Sequence, residues 1–173
     1  MVSQNLEIER VEIIKNLRRR RTISAKVVGG VMRVSAPGNI SQEKLSGIIN
    51  KFKQRFKNKK VKQELNQNED LPAQAEKLNQ RYFSGKLNIV SIEYVTSQNG
   101  RFGCCNYKNK TIRISHRLAQ MPGWVKDYVI VHELAHLIEP NHSKSFWDIV
   151  SRYKLAERAK GFLIATQQGV LLD

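Results

Sequence analysis

Residues 132–142 read His-Glu-Leu-Ala-His-Leu-Ile-Glu-Pro-Asn-His, and no other stretch limits so sharply what this chain can fold into. On an α-helix His132 and His136 lie one turn apart on one face, so both imidazoles can reach a single metal ion. Glu133 is turned partly aside, where its carboxylate can touch a metal-bound water without taking a coordination position. Pro140-Asn141 should end the helix and swing the chain back, bringing in His142. Three imidazoles with a fourth position open is the pattern of a catalytic zinc site, one ion per chain. A His-Glu-x-x-His match also arises by composition alone, on exposed helices. The residues ahead argue against that: Trp124–Val131 put Val125, Val129 and His132 on one stripe, so the helix is largely buried. Buried His, Glu and His side chains need a partner, and a metal provides one.

The 173 residues suit one ordinary domain, or a catalytic domain with a small N-terminal extension. No apolar run reaches the length of a membrane span, and the first residues lack the apolar core of a secretory signal, so a cytoplasmic protein without membrane association is expected. Cys104 and Cys105 are adjacent, too close for an unstrained disulfide and wrongly spaced for a metal knuckle, so they read as small buried strand residues. The net charge of +15 is uneven. Residues 1–60 hold 15 Lys/Arg against 4 Asp/Glu, concentrated in Arg18, Arg19, Arg20 and Arg21 and in the run from Lys51 to Lys60. Such a surface attracts DNA or RNA, and equally fits a solvated basic face with no specific partner. The arginine quartet is the candidate nucleic-acid contact.

Alternation of Leu6, Ile8 and Ile13, and of Ile23, Ala25 and Val27, predicts strands, with Gly29-Gly30 as a hairpin turn. A helix capped by Ser41 follows, with Leu45, Ile48, Ile49, Phe52 and Phe56 on its apolar side. The first third is thus expected to be a small antiparallel sheet with one amphipathic helix, residues 1–60. The Lys-, Asn- and Gln-rich stretch 61–70 is expected as a polar linker or exposed helix continuation, and 71–173 as the catalytic domain. A helix starting near Pro72 buries Ala75, Leu78 and Tyr82 and stops at Gly85. Strands are expected at 89–96, 101–106 and 111–115, the first two joined by a hairpin at Asn99-Gly100 and the last two by a turn at Lys108-Asn109-Lys110. Ser143 caps a helix that turns Phe146, Trp147, Val150 and Tyr153 inward, with the two aromatics beneath the metal site. A last helix ends near Gln168.

Tyr128-Val-Ile-Val-His-Glu-Leu-Ala-His-Leu followed by Asn141-His-Ser-Lys-Ser-Phe-Trp147 resembles the YgjP-like metallopeptidases, which are similar to the SprT-like and WLM proteases of the zincin superfamily. The resemblance extends to Thr22-Ile-Ser, Ala36-Pro37, the helix Ala75–Gly85 and Gly103-Cys104 on a central strand. It implies His132, His136 and His142 as zinc ligands and Glu133 as the general base. It also implies an α+β, zincin-like catalytic domain, its His-Glu-x-x-His helix packed on a small, mostly antiparallel sheet, beside an N-terminal β-rich lobe and helix. Family members often carry Trp-Gly-Ser-Cys where this chain has Phe102-Gly-Cys-Cys105. The metzincin glycine is replaced here by Glu139, whose carboxylate is a weak rival ligand.

The expected function is a zinc metallopeptidase acting on protein or peptide substrates. Glu133 would accept a proton from the attacking water and pass it to the leaving amine. Tyr153, Tyr107 and His116 are candidate oxyanion stabilisers, and the strand Thr111–Ser115 a candidate edge for binding extended substrate. Two rival readings are a nucleic-acid-associated zinc-binding module with little or no proteolysis, and a zinc hydrolase of non-peptide substrates.

Overall fold

The structure, a computed structural model, describes residues 8–166. Leu6 of the expected first strand and Gln168 at the expected end of the last helix lie outside them. Two compact units divide between Lys60 and Val61.

In the first unit, strands β1 (Arg10–Asn16), β2 (Ser24–Val28) and β3 (Val31–Pro37) form a sheet of order β1-β3-β2. Gly29 and Gly30 both take positive φ, as the tight β2–β3 turn requires, and pair Val28 with Val31. The sheet is mixed, not purely antiparallel, because β1 runs parallel to β3. The hairpin occupies one edge of β3, and residues 17–23 are long enough to carry the chain across to β2, leaving β1 in the parallel sense. Met32, Val34 and Ala36 are fully buried on one face. They are covered by Leu45, Ile49, Phe52 and Phe56 of helix α1 (Gln42–Asn68).

Helix α1 continues through most of the polar stretch, which is therefore helical and not an extended linker. Lys, Gln and Glu are good helix formers, and Leu65 packs against the core of the second unit. Asn66 there accepts from the Tyr94 amide at 2.8 Å and donates to its carbonyl at 3.1 Å. Its side-chain amide thus satisfies backbone groups on the open edge of a strand.

The second unit has helix α2 (Leu71–Phe83), strands β4 (Ser91–Val95), β5 (Gly103–Asn106) and β6 (Thr111–Ser115), and helices α3 (Gly123–Ala135), α4 (Lys144–Val150) and α5 (Ala156–Thr166). Asp70 caps α2 through the Ala73 amide at 2.9 Å, and Ser84 and Gly85, both at positive φ, end it. The sheet order is β4-β6-β5, with β4–β6 parallel and β5–β6 antiparallel, so the sheet is evenly mixed. β6 is the central strand and β5 an edge, which corrects the placement of Gly103-Cys104 on a central strand. Asn99-Gly100 is not a hairpin: β4 and β5 do not pair, and Gly100 lacks the positive φ of such a turn. The tight turn lies at residues 107–110, where the Asn106 side chain accepts from the Asn109 amide at 3.0 Å and Lys110 takes φ 54°. Helix α3 packs against α2, α4, α5, β5 and β6, and its residues from Tyr128 to Ala135 are all buried.

Candidate metal centre

The last turn of α3 carries His132 and Glu133, and His136 stands at its C-terminal cap. The helix ends before Pro140. The Leu137 and Ile138 amides reach back only three residues, to the Leu134 and Ala135 carbonyls, and this tighter turn releases the chain. The chain returns so that His142 lies just ahead of α4, whose cap Ser143 accepts from the Phe146 amide at 3.3 Å. One ligand atom from each of His132, His136 and His142 lies within 4.8 Å of the others. His132 Nε2 and His142 Nε2 are 3.1 Å apart. Tetrahedral zinc, with nitrogens at about 2.0–2.1 Å, would hold two of them roughly 3.3 Å apart.

Phe146 organises the three rings. Fully buried, it stacks on His136 (centroids 4.4 Å) and meets His132 and His142 edge-on at 4.8 and 4.7 Å. Trp147 stacks on His142 at 5.5 Å. The two aromatics are where the sequence puts them. The His136 Nδ1–H can donate to the Glu139 carbonyl at 3.2 Å, leaving Nε2 free to bind a metal. Glu139 thus contributes its backbone; its carboxylate is not in the candidate cluster.

The chemistry of this donor set fits a cation. Burial, reinforced by the neighbouring His136, His142 and Lys160, pushes His132 down to about 3, and burial also lowers His136. Both are therefore neutral imidazoles, the ligating form, near pH 7. His132 Nδ1 is buried with no partner among the described residues, as is the Tyr128 hydroxyl one turn earlier. Two partnerless polar atoms behind the first histidine are costly in a core serving packing alone.

Glu133 forms a wall of the same cleft. Only 5 % exposed, its carboxyl is pushed up to about 8 by burial, with the Arg101 charge pulling it back. Space for this carboxyl is made by Gly103 on β5. A Cβ at that position would lie 2.2 Å from Glu133 Oε1 and 2.7 Å from its Cδ and Cγ. Gly103 is thus a site residue that the sequence reading placed on the right strand, took as central where it is an edge, and gave no role. A lone glycine in a strand signals a close backbone approach, and that signal was present. The cleft, of about 200 Å³, is lined by the three histidines and Glu133 together with Arg101, Gly103, Cys104, Cys105, Tyr107, Tyr128 and Val129, among others.

The other candidates separate. Tyr107 lines the cleft. The Tyr153 hydroxyl donates to the Trp124 carbonyl at 2.8 Å, and His116 opens a 3-10 turn after β6; neither lines the cleft. β6 is paired on both sides and offers no free edge, so the strand edge beside the site is β5, not Thr111–Ser115. Cys104 and Cys105 are half-buried on β5 and are among the residues lining the cleft, and burial pushes the Cys105 thiol up to about 12. Arg18–Arg21 lie in the β1–β2 connection of the first unit, where Arg19 donates to Ser24 Oγ at 3.2 Å. Among the described residues no helix is long and apolar enough to cross a membrane.

Known proteins share this fold. The crystal structure of the metallopeptidase zymogen of Pyrococcus abyssi abylysin is similar in fold, at TM-score 0.51 and 18% identity, over 60% of this chain and 100% of that one. No curated protein matches the chain. Residues 86–156 match the family model described as YgjP-like, metallopeptidase domain, a span that takes in all three histidines, Glu133 and Gly103, and over it this chain resembles the YgjP-like metallopeptidases.

Proposed function

We propose that the chain is a zinc-dependent peptidase in which His132, His136 and His142 hold the metal and Glu133 is the general base, with residues 71–173 as the catalytic domain. The observation carrying this reading is the juxtaposition of a buried Glu133 carboxyl with three imidazoles on one cleft wall. When bound, zinc would supply a Lewis acid for the scissile carbonyl and acidify the attacking water. Glu133 then accepts the proton that the water loses and delivers it to the departing amine nitrogen. Its carboxyl needs to be ionised for the first step, and a dication nearby opposes the effect of burial on it. Gly103 keeps the carboxyl in place, while Phe146 and the Glu139 carbonyl keep the rings turned inward. Tyr107 and Arg101, both on the cleft, are the donors available to the developing oxyanion. The open edge of β5 suits an extended peptide added as a strand, which favours unfolded or flexible segments as substrate.

The test compares zinc-loaded wild type with Glu133→Gln on a fluorescently labelled unfolded casein, with zinc content measured on both. Glu133→Gln should retain one zinc and lose cleavage by on the order of 10²–10⁴-fold, the usual contribution of general acid–base catalysis. Equal cleavage by the two proteins would remove Glu133 from the mechanism. A zinc-loaded wild type that cleaves nothing favours a binding module, a reading that the basic first unit supports independently.

A further inference from the structure

The first 18 residues of α1 bury Leu45, Ile49, Phe52 and Phe56 against the first sheet, which fixes which side of the helix faces water. At 100° per residue the opposite side carries Gly47, Asn50, Gln54 and Asn58. Between this amide stripe and the buried stripe run two basic ridges, Lys51, Arg55 and Lys59 on one flank and Lys53 and Lys57 on the other. All five cations are exposed, and none has an ion-pair partner among the described residues. The arrangement works against the helix itself, since each ridge puts like charges at i and i+4, where they repel. No acidic residue occurs between Glu43 and Glu64 to relieve it. Such an arrangement is stabilised by a polyanion.

The amide stripe narrows the choice of polyanion. Gln54 Nε2 donates to Asn58 Oδ1 at 2.8 Å, which orders the pair and leaves the Gln54 carbonyl and the Asn58 NH2 for a ligand. Asn and Gln are the side chains that bond adenine through N6 and N7, and a helix flanked by cations fits the B-form major groove, about 12 Å wide. Lys51 to Lys59 spans roughly 12 Å of helix axis, enough to follow one phosphate backbone while Lys53 and Lys57 meet the other. A lipid surface would satisfy the charges but has no use for ordered amides, and the deep, narrow major groove of A-form RNA excludes a helix. We propose that the outer face of α1 is a double-stranded DNA-binding surface, its two lysine/arginine ridges on the phosphates and Asn50, Gln54 and Asn58 toward the base edges. This goes beyond the peptidase reading and stands or falls separately from it, because it needs neither zinc nor Glu133.

The experiment measures the affinity of the full chain for 20-base-pair DNA duplexes across a salt series, using wild type, Lys51→Gln/Arg55→Gln/Lys59→Gln and Asn50→Ala/Gln54→Ala. Zinc content and circular dichroism serve as checks that the variants fold, and Lys53→Gln/Lys57→Gln is the substitute if the triple variant does not. Each phosphate that a removed cation no longer neutralises should reduce the slope of log affinity on log salt by about 0.9. The triple variant should therefore lose between two and three units of slope and bind on the order of 10²-fold more weakly at 0.15 M salt. The amide variant should keep the slope and lose its preference among duplexes selected from a random pool. An unchanged slope in the ridge variant overturns the proposal. So does a sequence preference that survives in the amide variant, or equal competition by an RNA duplex or by phosphatidylserine vesicles.

Discussion

The contact between Gly103 and Glu133 gives the sharpest test of the site, because a single methyl group probes it. In Gly103→Ala the new Cβ would start 2.2 Å from Glu133 Oε1 and 2.7 Å from both Cδ and Cγ, where ordinary van der Waals contact begins at 3.4 Å. Three atoms of the side chain are affected, so rotating the carboxyl tip is insufficient and the whole group must move by an ångström or more. The strand side can give little, because Gly103 is paired with Ile114 of the central strand. A displacement of that size in a catalytic group costs about 10²-fold in rate, and overpacking costs roughly 1–3 kcal/mol of stability. The metal site should be spared, since none of the three nearest atoms belongs to a histidine. Single-turnover cleavage of labelled unfolded casein by zinc-loaded protein, with zinc affinity measured alongside, separates these effects. If Gly103 acts only through Glu133, then Gly103→Ala combined with Glu133→Gln should be no slower than Glu133→Gln alone. A Gly103→Ala enzyme within threefold of wild type would show that the carboxyl does not work from this position. Rate losses that multiply in the double variant would show that the glycine matters for another reason.

Phe146→Ala removes the ring that touches all three histidines. It should cost about 3–5 kcal/mol in denaturant unfolding and weaken zinc on the order of 10–100-fold in a chelator competition; unaltered zinc affinity would mean the histidines are positioned by their backbones alone. The metal-free protein should be most stable between about pH 4.5 and 6.5 and lose stability on either side of that range. His132, held down to about 3 in the fold against about 6.5 unfolded, makes the unfolded chain bind more protons, so stability falls as pH drops from 6.5 toward 3. Glu133, held up to about 8, makes the fold bind more protons, so its contribution is full below about 4.5 and is lost as pH rises through 8. Glu133→Gln should therefore flatten the alkaline limb of a melting-temperature profile and leave the acid limb in place; an unchanged alkaline limb would assign it to another group.

The site was legible wherever chemistry depends on residue type and short spacing. His132, His136 and His142 fall within eleven residues, and one helical turn and one reversal are enough to bring them together. Phe146 and Trp147 follow within five residues and were placed beneath the rings for the same reason. What crosses strands was not legible. The Asn99-Gly100 dipeptide carries the strongest local hairpin signal in the chain, yet Gly100 has no positive φ and the connection it lies in joins strands that do not pair. Pairing with β6 outweighs the local preference, because β6 has two edges to fill and β5 reaches one of them through the tighter turn at 107–110. That single error of order hid two features: it made Thr111–Ser115 look like the free edge, and it left Gly103 without its neighbour from α3.

The polar stretch after Asn58 shows the opposite limit, where composition described the surface correctly and left a linker and a helix continuation both open, of which the structure has the helix. Amides and lysines between two apolar segments look like a linker because they bury nothing of their own. Asn66, however, completes the hydrogen bonding of a strand 28 residues away, which no local pattern encodes. Helical periodicity alone does not separate the basic residues of α1 from a solvated face either. What separates them is the buried stripe fixed by Phe52 and Phe56, since only then do Asn50, Gln54 and Asn58 become an outward row with cations on both flanks. A solvated helix has no need to order like charges at i and i+4 around neutral amides, and an exposed glutamate in place of Lys53 alone, one turn ahead of Lys57, would stabilise it. The helix forgoes that stabilisation over the whole run from Lys44 to Lys62, which is the argument that its outer face is kept for a ligand.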